Sequence, residues 1–506
     1  MGREQQQAAQ TSVYDLFHGR ALATPDAIAI EDGTRKLSYA QLLDRVDRLA
    51  GLLAGRGVGR GDRIAILSHN RSDYIELELA AAARGAILAC LNWRLAGPEL
   101  CHCVTLVEPR LVFAEPDLAP ALAAISGIAV LVFDAGYEAA LAAAAPVEAT
   151  AVDPEDGLVI LYTSGTTGLP KAAVISHRAM VARAMVFASE LAIEPTDAFV
   201  AWAPLYHMAS TDHALATLMR GGTVVVVDGY RPEALRAAIA AHRIGWLVLI
   251  PGMVEPFIAA LKADPVKLKG IRVCGAMADL VPPHQIAEIT AILQAPYLNT
   301  FGSTETGLPP ATRALIPAGT APERLSKRLS AFCEVRLVDP EDRPVAPGTP
   351  GEMAVRGPTL FSGYWNAAEA NAEDFRGGWF HMGDVFRQNP DGTVDFVDRA
   401  KYLIKTGGEN VYPAEIERVL LADPRVTDAA VVRAADPRWG EAPVAFVSRS
   451  DDSLTPEALM ERCRAALAGY KLPRQIRFIG FDDFPRSSSG KIQRHALEAR
   501  LRRGAA

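Results

Sequence analysis

The chain has 506 residues, half of them hydrophobic and 22% charged, and a formal net charge of −7. That length exceeds one ordinary core and predicts two or more domains, and the acidic balance argues against a nucleic-acid partner. Six cysteines, at 90, 101, 103, 274, 333 and 463, are too sparse for a disulfide scaffold and fit a reducing, cytoplasmic compartment.

The opening segment MGREQQQAAQ has no apolar signal core, and Gln6 stands where myristoylation at Gly2 needs Ser or Thr. No run of about 18 uncharged apolar residues occurs, so no membrane span is expected. Tyr39, Leu42, Leu43, Val46, Leu49 and Leu53 recur at helical spacing, with Asp44, Arg45, Asp47 and Arg48 on other faces, which predicts an amphipathic helix. Short β-rich runs follow at 64–67, 158–162, 223–227 and 247–250, with helical patterns such as 231–242 between them. Cys101-His102-Cys103 offers metal-ligand types, but no second Cys/His pair stands at zinc spacing, so the triplet reads as packing. The alanine-rich stretch 139–145 reads as helix.

Strands alternating with helices predict an α/β fold: a large N-terminal domain of parallel-rich sheets with helices. Proline and glycine thicken over 339–363, which predicts turns and hairpins of a β-rich subdomain. Beyond Asp398-Arg399 the pattern changes to a helix at 416–421, strands at 429–433 and 444–447, and a helix at 456–468, a small α+β C-terminal domain. The expected division is 1–399 and 400–506.

The most informative segment is Thr163-Ser164-Gly165-Thr166-Thr167-Gly168-Leu169-Pro170-Lys171, which follows the strand-like run LVILY. Glycines free the backbone to fold around an anion, and the four hydroxyls and Lys171 add donors and charge suited to a polyphosphate. The Walker spacing is absent and Pro170 precedes the lysine. On composition alone a flexible surface turn stays open.

The order TSGTTGLPK resembles the signature of adenylate-forming enzymes, a family that includes acyl-CoA synthetases, non-ribosomal adenylation domains and firefly luciferase. The resemblance runs from Leu37-Ser38-Tyr39 to Lys491, and it implies that the C-terminal domain is mobile. Thr300-Phe301-Gly302-Ser303-Thr304-Glu305 is similar to the family's aromatic-Gly-x-Thr-Glu motif. It implies that Phe301, where the family more often has Tyr, stacks on adenine, that Thr304 donates to the α-phosphate, and that Glu305 holds Mg²⁺. Gly378-Trp379-Phe380-His381-Met382-Gly383-Asp384 resembles the ribose motif, with Met382 in place of a hydroxyl residue. Asp384 then binds the ribose, Arg399 contacts it, and Lys401 in Asp398-Arg399-Ala400-Lys401 is the hinge.

Pro485-Arg486-Ser487-Ser488-Ser489-Gly490-Lys491 matches the family's C-terminal loop and implies that Lys491 is the catalytic lysine. The chemistry makes sense of that cation. A carboxylate, ionised at pH 7 from a reference pKa of about 4, needs no general base to attack ATP. It does need the accumulating negative charge neutralised. The resemblance further implies ATP and coenzyme A as co-substrates, with Gly407, Gly408 and Glu409 lining the thiol tunnel and Trp439, Tyr470 and Lys471 as weaker contacts for the CoA nucleotide. No residue is an evident base for the thiol.

Pro204-Leu205-Tyr206-His207-Met208 resembles the motif with an aromatic gate, here His207. It implies an acyl pocket formed by Met208, Ala209, Ser210, Thr211 and His213 together with Ala276, Met277 and Leu308, Ala276 also lying beside the adenine. No Lys or Arg occurs over 203–219 or 299–311, which disfavours a dicarboxylate and leaves fatty and aryl acids open. Asp212 reads as solvated or capping. Cys274-Gly275-Ala276-Met277-Ala278 departs from the commoner Gly-Gly-Ala-Pro-Leu at Met277, and this bears on pocket shape.

The leading reading is an acid–thiol ligase that forms acyl-CoA, AMP and diphosphate from acid, ATP and CoA. The alternative is a stand-alone adenylation enzyme that loads a carrier-protein thiol. A non-catalytic nucleotide-binding homologue is a third reading, opposed by the presence of Lys171, Thr304, Glu305, Asp384, Arg399 and Lys491. The pattern Pro485…Gly490-Lys491 resembles a lysine-acetylation site, which implies an acetyltransferase partner acting on Lys491; a homodimer stays open.

Overall fold

The computed structural model describes residues 11–163, 169–399, 402–406, 409–486 and 492–503. Two sheets dominate its first four hundred residues. One has six strands in the spatial order Val130–Val132, Leu111–Ala114, Arg63–Leu67, Ile87–Cys90, Gly157–Thr163 and Lys171–Ser176. All neighbours are parallel except the last pair. The other has eight strands in the order Leu315–Ile316, Tyr297–Leu298, Ile271–Cys274, Ile244–Leu247, Ala198–Ala201, Val224–Val226, Ile28–Asp32 and Arg35–Ser38. Its six central strands run parallel and the outermost strands are antiparallel. Strands such as Leu158-Val159-Ile160-Leu161 are buried along their length, because parallel sheets are covered on both faces.

Helices fill the space between these sheets. Ser38 caps the helix Tyr39–Gly55 reciprocally: its hydroxyl accepts the Gln41 N–H, and the Gln41 side chain accepts the Ser38 N–H. Tyr39 is fully buried, and its hydroxyl points between the carbonyls of Leu218 (3.1 Å) and Gly222 (2.8 Å). The helix Ser72–Arg84 is buried from Ser72 through Ala83 and ends at left-handed Gly85. Its Glu76 is held by Arg35 and Arg45, each at 2.9 Å, yet burial still pushes the carboxyl up to about 7.

Downstream, Glu334–Val338, Pro350–Arg356, Phe380–Gln388 and Val394–Arg399 form a four-stranded antiparallel sheet. A final sheet takes its five strands from Ile404–Thr406, Glu409–Val411, Val426–Asp436, Gly440–Arg449 and Gln475–Phe478. Among the described residues no helix is long and apolar enough to cross a membrane.

Local departures from the sequence expectation have local causes. The strand expected at 247–250 is Ile244–Leu247. Its parallel partner runs out at Cys274, and Pro251-Gly252 then turns the chain, with Gly252 at φ 86°. The helix expected at 456–468 stops at Ala466, where Leu467 turns extended. Cys101, His102 and Cys103 lie on the helix Gly97–Val107 and point apart: Cys103 is buried, Cys101 sits near Thr105, and His102 Nε2 lies 3.2 Å from the Pro170 carbonyl.

Tyr39 ties the first long helix to the end of the helix Met208–Arg220. Tyr39→Phe leaves those carbonyls without their buried donor and should lower unfolding free energy by about 1–3 kcal/mol, read from urea denaturation followed by tryptophan fluorescence.

Candidate active site

The strands Gly157–Thr163 and Lys171–Ser176 pair antiparallel, with Thr163 opposite Lys171. This register closes the mouth of the glycine-rich segment, whose Ser164, Gly165, Thr166, Thr167 and Gly168 lie outside the described residues. The free edge of Lys171–Ser176 pairs with 362–365. Ser362 N–H donates to Val174 O (2.8 Å), Val174 N–H to Gly363 O (3.0 Å), and Trp365 N–H to Ala172 O (2.8 Å). That pairing lays the Tyr364 ring 3.8 Å from Lys171 Nζ, and the same ammonium meets Asp374 Oδ2 at 3.1 Å.

Tyr364 also reaches the second motif. Its hydroxyl donates to Glu305 Oε1 at 2.8 Å. Burial, and then the Glu305 carboxylate, push the Tyr364 hydroxyl well above its ordinary pKa, so it stays a donor. The Glu305 carbonyl accepts the Phe361 N–H at 2.8 Å. Lys171, Tyr364, Asp374 and Glu305 thus form one charged cluster drawn from three distant stretches of chain.

The strand Phe301–Ser303 folds back on Gly307–Ala311. A Cβ on Gly302 would stand 2.0 Å from the Gly307 carbonyl oxygen, so only glycine fits there. The Thr300 hydroxyl is buried and donates to Ala311 O at 2.7 Å, which braces this hairpin. Phe301 is buried with its ring centroid 4.7 Å from Phe386 and 5.5 Å from Phe396. Asp384 and Arg399 face each other across adjacent strands, joined by Arg399 Nε to Asp384 Oδ1 at 2.9 Å.

The expected acyl wall divides. His207, Met208 and Ala209 are partly exposed where the helix Met208–Arg220 begins. Ser210, Thr211 and His213, expected at the acyl pocket, are buried, and their side chains meet neighbouring groups. Ser210 Oγ donates to Ala203 O (2.6 Å), and Thr211 Oγ1 to Leu205 O and to Glu78 Oε1 (3.2 Å). The His213 ring lies 4.0 Å from Phe187 and 4.1 Å from Trp246, and burial holds it neutral. Leu308 is buried in the main core, while Ala276 and Met277 stay partly exposed. Met277 adopts φ 51°, a left-handed conformation closed to proline, so the departure from the family motif alters the backbone itself. Trp246 Nε1 and the Tyr297 hydroxyl hold this bend by donating to Gly275 O (2.8 Å) and Ala276 O (3.1 Å).

Asp212 is neither solvated nor a cap. It is 1% exposed and pairs with an equally buried Arg183 at 3.0 Å. The cation-free stretches 203–219 and 299–311 did not reveal this charge, because Arg183 comes from the helix His177–Glu190. An arginine among Ala179, Met180, Ala182, Val186 and Phe187, on a face otherwise apolar, was the available signal. Tyr364 and Asp374 were missed as well, since they lie just past the turn-rich stretch 339–363 and belong to no recognised motif.

Lys401, Gly407, Gly408 and Lys491 lie outside the described residues. Glu409 is exposed on the strand Glu409–Val411. Trp439, 38% exposed, lines a groove of about 500 Å³ with Arg438, Arg474 and Arg477, three cations the motif reading did not single out. Tyr470 is exposed, but Lys471 is bound to Glu415 at 2.8 Å.

A family model described as AMP-binding enzyme matches residues 17–365, and one described as AMP-binding enzyme C-terminal domain matches 415–491. The chain is 35% identical over 487 residues to a feruloyl-CoA synthase of an Amycolatopsis species, covering 95% of this chain and 97% of that one. It is 34% identical to an indoleacetate–CoA ligase of Aromatoleum aromaticum, covering 93% and 94%. The structure of o-succinylbenzoate CoA synthetase from Bacillus subtilis with its acyl-adenylate intermediate matches with a TM-score of 0.84 at 26% identity, over 96% of this chain and 98% of that one.

Lys171 and Asp374 are each 26% exposed, so their ion pair contributes at most about 1 kcal/mol. Asp374→Asn removes the carboxylate that holds the Lys171 ammonium. It should tighten ATP binding about two- to fivefold in isothermal titration calorimetry.

Proposed function

The chain belongs to the AMP-binding enzyme family and is an AMP-forming acid–thiol ligase that makes acyl-CoA; from that premise we propose that its acid is an apolar aromatic carboxylate. The observation that carries this reading is the set of long, full-length matches to ligases named for feruloyl and indoleacetate groups. The site supports it. Arg183 is consumed by Asp212, so a second carboxylate on the acid would find no free charge there, and the partly exposed Met208, Ala276 and Met277 suit an apolar ring.

In the first half-reaction an oxygen of the substrate carboxylate bonds to the α-phosphorus of ATP. The bond to the bridging oxygen breaks, and diphosphate leaves. Lys171, once drawn off Asp374, and Lys491 neutralise the charge on the leaving oxygens, and Thr304 donates to the α-phosphate. Asp384, oriented by Arg399, accepts from the ribose hydroxyls. Glu305 is the residue that would hold Mg²⁺. Its Oε1 carries the Tyr364 donor, and a hard carboxylate oxygen fits that ion. When bound, Mg²⁺ supplies positive charge to the phosphate oxygens.

In the second half-reaction the coenzyme A sulfur attacks the acyl carbon, AMP leaves, and the thiol proton passes to solvent. Gly407, Gly408 and Glu409 line the thiol approach. Trp439 with Arg438, Arg474 and Arg477 suits the phosphorylated nucleotide end of CoA, one aromatic face beside three cations. Lys401 acts as the pivot at the boundary placed between residues 399 and 400, and the enzyme works in the cytoplasm.

A panel of ferulic, cinnamic, benzoic, indoleacetic and long-chain fatty acids, scored by diphosphate release and thioester formation, tests the substrate class. Aromatic acids should exceed fatty acids at least tenfold in kcat/KM; equal turnover of both would remove the proposal. Lys491→Ala should cut adenylate formation about 10²–10³-fold and spare thioester formation from supplied acyl-adenylate, since the second step develops no charge on diphosphate. Equal loss in both steps would contradict that role.

A further inference from the structure

Arg183 and Asp212 take no part in the chemistry above, yet among the described residues they form the most deeply buried ion pair, each 1% exposed. The guanidinium points in three directions. Nη1 donates to Asp212 Oδ2, Nη2 to the Thr304 carbonyl and Nε to the Thr359 carbonyl, each at 3.0 Å. Gly307, at φ 76°, lies flat against the same side chain, where an added Cβ would come within 2.9 Å. Two residues beyond Thr359, the Phe361 N–H holds the Glu305 carbonyl at 2.8 Å. The backbone of Thr304-Glu305 is therefore gripped from both sides. Asp212 anchors the guanidinium from the helix Met208–Arg220, one turn beyond Met208 and on the same face.

Stability alone does not account for the pair. Replacing a buried ion pair by apolar residues is often neutral or stabilising. Asp212 Oδ1, moreover, has no hydrogen-bond partner among the described residues, which is a poor arrangement for stability. The pair is instead well suited to geometry, since one rigid fork fixes two carbonyls relative to one helix.

We propose that Arg183, held by Asp212, is a positioning residue that locks the Thr304-Glu305 segment to the helix carrying the candidate acyl gate, and so sets the phosphate- and metal-binding groups against the acid. This rests on the functional reading above. Arg183→Met/Asp212→Leu removes both charges together and should fold, with a melting temperature within about 4 °C of wild type. Adenylate formation, read as diphosphate release, should fall at least tenfold in kcat with the KM for acid changed less than about threefold. Thioester formation from supplied acyl-adenylate should be much less affected. Should the double variant not fold, Arg183→Lys carries the test. A single ammonium can satisfy Asp212 but cannot also span Thr304 and Thr359, so the same loss of kcat is expected. Wild-type kcat in either folded variant overturns the proposal. If wild type itself forms no adenylate with any acid, the functional reading fails instead. The positioning claim is then read by calorimetry with Mg²⁺ and ATP, where at least fivefold weaker binding by the variant supports it and equal binding overturns it.

Discussion

The site depends on one strand having two neighbours. Lys171–Ser176 pairs on one side with Gly157–Thr163, which closes the glycine-rich loop, and on the other with residues 362–365, which brings in Tyr364. Backbone hydrogen bonds on both edges leave this strand no slack, so Lys171 emerges at a fixed place beside the ring whose hydroxyl binds Glu305. A slip of one residue in either register would turn Lys171 to the opposite face and dissolve the cluster.

Around that strand the protein keeps its working charges in pairs, and the pairs differ in kind. Lys171 with Asp374 is partly solvated and weak, which suits an ammonium able to change partners. Asp384 with Arg399 is fixed across adjacent strands, which holds the carboxylate in one orientation. Arg183 with Asp212 is fully enclosed, where breaking the pair would strand an uncompensated charge. Exposure therefore grades these pairs from exchangeable to permanent.

Backbone geometry does comparable work where side chains cannot. Gly302 admits the Gly307 carbonyl at a distance no Cβ allows, which draws the hairpin behind Thr304 tight. Met277 takes a left-handed conformation, and Trp246 and Tyr297 stabilise the bend by binding the two carbonyls that precede it. The chain at Ala276-Met277 thus follows a turn that proline could not make.

The sequence by itself determined the architecture and the family. Buried parallel strands read as continuous apolar runs, and the residues of each motif are contiguous, so composition and order suffice to recognise them. Tertiary structure alone decided how Lys171 meets Tyr364 and Asp374, that Asp212 is the partner of Arg183, and that Ser210, Thr211 and His213 face the core. Each of these rests on residues far apart in the chain brought within a few ångströms by strand pairing and helix packing. Local spacing carries no record of which helix face a neighbouring element will cover.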